Sequence, residues 1–65
     1  MAYDADVYLA AKLVMERYDA NAAWWASQRV SECQAERDVI GVGLWLAIKG
    51  AIEELQRQSK QRWAG

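Results

Sequence analysis

Sixty-five residues make one domain, and they carry a net charge of −1, a single cysteine and no histidine. One cysteine excludes an internal disulfide, and with a single cysteine and no histidine the chain lacks the Cys and His ligands of a classical structural zinc site. The near-neutral balance argues against general adhesion to nucleic acid or acidic lipid.

A chain this short buries only about 60% of the surface that its unfolded form exposes. Stability must therefore come from close packing and from partner subunits. Twelve alanines supply much of the apolar content, so the packing is expected to be tight rather than bulky. Charge is unevenly spread: residues 1–38 hold four basic and seven acidic groups, and residues 39–65 hold four basic and two acidic. The acidic start, MAYDADVY, is unlike a secretory signal. The longest uncharged apolar run, Val39 to Ile48, is short of the roughly 20 residues that span a bilayer. The expectation is a cytoplasmic protein with no membrane span, which suits its lone thiol.

In chain order, the first helix is expected to start after Asp4 or Asp6, both suited to an N-terminal cap. Val7, Ala10, Ala11, Val14 and Tyr18 recur at helical spacing and form its inward face, widened by Tyr8 and Met15 on one side and Leu13 on the other. The tyrosines at 3, 8 and 18 read as rim residues, ring inward and hydroxyl outward. Tyr18-Asp19-Ala20-Asn21 is the break, with Asp19 closing one helix and Asn21 capping the next. Helix two then turns Ala22, Ala26, Val30 and Cys33 inward. Trp25 flanks that stripe, and Trp24 points away from it into solvent.

Asp38 is the expected cap of a third helix, DVIGVGLWLAIKGAIEEL. Leu44, Ile48, Ala51, Ile52 and Leu55 share one face, with Trp45 at its margin. Val39, Val42 and Leu46 lie on the opposite side, and Gly43, Ala47 and Gly50 form a strip of small residues expected to receive helix one or two. A helix apolar nearly all round is buried on more than one flank. Glu53 and Arg57 are spaced to pair, and residues 57–65 are expected to fray. Together these spans predict an all-α, small three-helix bundle with helices at about 4–18, 22–36 and 39–58. Ala11, Val14, Val30, Leu44, Ile48 and Ile52 should share its core.

Ala20, Asn21, Ala22 and Arg29 around helix two, with Asp38, Gly41, Trp45, Ile48, Ala51, Ile52 and Leu55, form a spaced pattern over roughly residues 7–56. In that pattern the chain resembles a group of short bacterial all-helical proteins of unknown function. Members of the group tend to carry His-Gly where Tyr18-Asp19 stands. The resemblance implies a small helical domain and no functional residues.

Catalysis, a cofactor and a metal are not expected. No histidine is present to act as a base, Cys33 lies on an inward stripe, and the pairs Asp4/Asp6 and Glu53/Glu54 read as a helix start and a solvated face. Gly41-Val42-Gly43 sits inside a helix rather than in a phosphate loop. What remains is an interaction module that self-associates, most simply as a homodimer, or docks on a protein partner. Trp24, Val39, Val42 and Leu46 are the candidate partner-binding residues. The alternative is a small DNA-binding domain that contacts phosphates through the basic tail Arg57, Lys60, Gln61 and Arg62.

Overall fold

The computed structural model describes the backbone from Asp4 to Ala64 and the side chains as far as Gln58. Within it the chain is all-helical, with no strand among the described residues. Helix α1 spans Ala5–Tyr18, a 3-10 turn spans Asp19–Asn21, α2 spans Ala22–Ala35 and α3 spans Val39–Ala64. Tyr3 lies outside the described residues.

The turn departs from expectation. With no glycine or proline there, Asp19–Asn21 tightens into a 3-10 turn instead of opening a loop. Asp19 accepts a left-handed φ of 49°, and its amide donates to the Met15 carbonyl at the end of α1. Asn21 makes no side-chain cap. The 3-10 turn joins α1 directly to α2 with no loop between them, so the expected bundle of three separated helices is instead two helical arms. The bent arm Ala5–Ala35 lies against the arm Val39–Ala64. Both α1 and α2 pack on α3, and they share far less surface with each other than either shares with it.

The corner between the arms is built differently. At the end of α2 the Asp38 amide donates to the Cys33 carbonyl (2.8 Å) and the Arg37 amide to that of Gln34 (3.1 Å), the pattern of a Schellman cap. Arg37 occupies the left-handed position at φ 58°, where glycine is usual. Asp38 then starts α3: its Oδ1 accepts from the Gly41 amide at 2.9 Å, and its negative charge sits at the positive end of the helix dipole.

The core is small residues around two isoleucines. Ala11, Ala22, Ala26, Ile48, Ala51 and Ile52 form one buried cluster, with Val30 and Cys33 buried nearer the corner. Val14 packs against the cluster but is only half-buried. Leu44 does not join it and is 49% exposed. Its angle on the helix is right, yet α1 lies beside the second half of α3, where the Tyr8 hydroxyl donates to Glu54 Oε2 at 2.7 Å. The flank that carries Leu44 is therefore left open. Leu13 is likewise 57% exposed, on the outer side of α1.

Helix α3 continues to Ala64, beyond the expected end near residue 58, because the tail is made of good helix formers and no proline or glycine interrupts it before Gly65. The side chains of Lys60, Gln61, Arg62 and Trp63 lie outside the described residues. Glu53 approaches Lys49 at 3.9 Å, where a pair with Arg57 was expected.

Candidate functional site

Four large aliphatic side chains at the start of α3 are about half or more exposed. Val39 is 82% exposed, Ile40 84%, Leu44 49% and Leu46 51%. Val42 is half-buried, and Gly43 has nothing within 4 Å of where a Cβ would stand. The small strip therefore does not receive α1 or α2 at Gly43, contrary to expectation. This follows from the length of α1: it ends at Tyr18, and α2 covers only the face that carries Ile48 and Ile52. Fully burying one such aliphatic side chain stabilises by about 1.5–3 kcal/mol, so the two exposed pairs, Val39 and Leu46 on the side away from the buried stripe and Ile40 and Leu44 on the flank beside it, are candidates for a contact.

Three of the expected partner-binding residues, Val39, Val42 and Leu46, share the side of α3 away from its buried stripe, and Ile40 and Leu44 lie on the other flank. Trp24 is 63% exposed, as its spacing predicts, but it does not join them. The buried stripe of α2 faces α3, and Trp24 stands on the far side of that helix, whereas Val39 and Leu46 point away from α2. Ile40 is the residue that the sequence reading missed. The signal was available, since residues 39–48 hold no charged or polar side chain.

On the other side of the molecule an aromatic latch joins all three helices. Tyr18 stacks on Trp25 with ring centroids 4.6 Å apart, and Trp25 meets Trp45 edge to face at 5.2 Å. The Arg29 guanidinium lies 5.8 Å from both indole rings and pairs with Glu32. Each aromatic pair contributes about 0.5–1.5 kcal/mol beyond its buried area. The rings are spent on one another and on Arg29.

An open groove of about 470 Å³ lies between α1 and α3, lined by Tyr8, Leu9, Lys12, Glu54 and Leu55 among others. Glu54 is thus a half-buried wall residue rather than part of a solvated face, and its carboxylate already accepts the Tyr8 hydroxyl. Among the described residues no three His, Cys, Asp or Glu side chains gather to hold a metal ion, and no helix is long and apolar enough to cross a membrane.

Cys33 sits behind the corner, 6% exposed. Burial pushes its thiol above the ordinary pKa, and the Asp38 carboxylate pushes it the same way. The protonated thiol is thus the folded form. Stability is kept at neutral pH and falls as pH rises above the ordinary thiol pKa, where the unfolded chain ionises first. Labelling of the native protein by a thiol reagent is expected to lag labelling in denaturant by orders of magnitude. Equal rates would mean that the corner opens freely. Comparison with protein families, curated proteins and solved structures finds no match for the chain.

Proposed function

We propose that the protein is a non-catalytic interaction module that works by self-association through the first half of α3. The observation that carries this reading is the exposure of Val39, Ile40, Leu44 and Leu46 on one uncharged stretch. A domain of this size has a stability of only several kcal/mol, so burial of these side chains is a large gain relative to the whole. A second copy is the simplest source of cover, because two-fold dimers are the commonest oligomers and use the same patch twice. Trp24, on the opposite side, is left free to anchor a further protein. A cytoplasmic setting suits the single unpaired thiol.

The residues behind the resemblance to short bacterial helical proteins support a shared scaffold rather than a shared site: Arg29 lies over Trp45, Asp38 caps at Gly41, and Ile48, Ala51 and Ile52 are core.

Dilution tests the reading. For a dimer, each tenfold increase in concentration raises the apparent unfolding free energy by about 1.4 kcal/mol. The wild type is expected to show this rise. Leu46→Glu is expected to lose it while keeping its helical circular dichroism. A wild-type midpoint that does not move with concentration overturns the proposal.

A further inference from the structure

The two joints of the fold differ in how they are held. Arg37, at the corner before α3, takes its left-handed φ inside a Schellman cap, and Asp38 then bonds the Gly41 amide. Asp19, between α1 and α2, stands at φ 49° and ψ −122°, the values of the first central position of a type II′ turn. Glycine dominates that position because a Cβ is crowded there, so an aspartate stores backbone strain. No side-chain cap secures the turn, at Tyr18 on one side or at Asn21 on the other. Strain of this kind persists only while the surrounding packing enforces it.

The packing that enforces it is the docking of α1. Of α1 only Ala11 is buried, whereas α2 buries Ala22, Ala26, Val30 and Cys33. Helix α2 also shares the larger interface with α3, and α1 shares little with α2. Leu9 and Leu13 are exposed, and the groove of about 470 Å³ leaves the first turns of α1 incompletely seated on Glu54 and Leu55. Ala11 in the core, the Tyr8 hydroxyl on Glu54 and the Tyr18–Trp25 stack hold the helix down. A free helix of 14 residues is marginal in water, so α1 loses its helix when it loses this seat.

We propose that α1 is a strap: it undocks and unwinds as one unit about Asp19, while α2, the corner and α3 stay folded. The strained turn lowers the cost of that step, because release returns Asp19 to ordinary backbone angles. The step uncovers Ala51, Ile52 and Leu55 on the second half of α3 and parts the Glu54 carboxylate from the Tyr8 hydroxyl.

Hydrogen exchange by the native full chain, read amide by amide, tests this. The amides of residues 9–18 are expected to share one protection level, at least about tenfold below that of Val30 and of residues 48–52. Asp19→Gly removes strain that only the docked form carries, and is expected to raise the α1 level several-fold. Asp19→Ala keeps a Cβ in the turn and is expected not to raise it. Trypsin gives a second reading. Its cuts after Lys12 and Arg17 are expected before those after Arg29 and Lys49, and Asp19→Gly is expected to delay them.

Protection of α1 equal to that of residues 48–52 means that the chain opens all at once, and overturns the proposal. Cuts after Arg29 as early as those after Arg17 do the same. A low level in α1 that Asp19→Gly leaves unchanged, or that Asp19→Ala raises as much, removes the turn as the hinge and overturns it too.

Discussion

Ile52→Ala is expected to lower stability by about 3–4 kcal/mol, near the upper part of the range for removing a buried isoleucine. Ile52 is fully buried and is the largest such side chain among the described residues. Its neighbours in the core include Ala11, Ala22, Ala26 and Ala51, and an alanine has no rotamer with which to reach into a vacated space. The cavity therefore persists, and its cost adds to the lost transfer energy. A domain of this length has roughly 3–10 kcal/mol to lose, so much of the variant should be unfolded at room temperature. Ile52→Val removes one methyl group and should cost only about 1 kcal/mol. Denaturant titration followed by circular dichroism measures both. A loss below about 1 kcal/mol for the alanine variant would show that the two arms can slide together, and that the alanine-lined core is not rigid.

Gly41→Ala is expected to lower stability by about 2 kcal/mol, against the usual sign for such a change inside a helix. A Cβ at this position would stand 2.7 Å from the Cys33 sulfur and closer still to the Asp38 carboxylate. Either Asp38 gives up its cap to the Gly41 amide, a loss of about 0.5–2 kcal/mol, or the buried thiol must move. Gly43, two residues on, is the control. Its missing Cβ would meet nothing, so Gly43→Ala in the dilute monomer should gain up to about 1 kcal/mol from helix propensity. Opposite signs at the two glycines are the expected result. Stabilisation at both would mean that the corner is looser than its contacts imply.

Angular position was legible in the sequence and axial extent was not. Spacing alone assigned the inward stripes Ala22, Ala26, Val30 and Cys33 on α2 and Ile48, Ala51 and Ile52 on α3, as well as the cap at Asp38 and the exposure of Trp24. A helical wheel repeats along the whole of α3, whereas the neighbours that bury it have finite length. Leu44 has a core angle yet stands beyond the reach of α1, and Ile40 joins the open surface for the same reason. Partners far apart in the chain were equally invisible: the Tyr8–Glu54 hydrogen bond spans 46 positions, and nothing local marks Trp25, Trp45 and Arg29 as one cluster. The left-handed residue at the corner escaped because Arg37 stands where glycine would have signalled it. Of the candidate contact surface, Val39, Val42 and Leu46 could be read from the pattern, while the separation of Trp24 from them required the relative placement of α2 and α3.

The central claim is that the first half of α3 is covered by a second copy of the chain. Sedimentation of the wild type and of Leu46→Glu across micromolar concentrations tests it most directly. Leu46 is 51% exposed and makes no part of the buried core, so the substitution should leave the fold of the single chain in place. The predicted result is a wild-type dimer and a variant monomer of equal helical content. A wild type that remains monomeric at the highest concentration would contradict the claim.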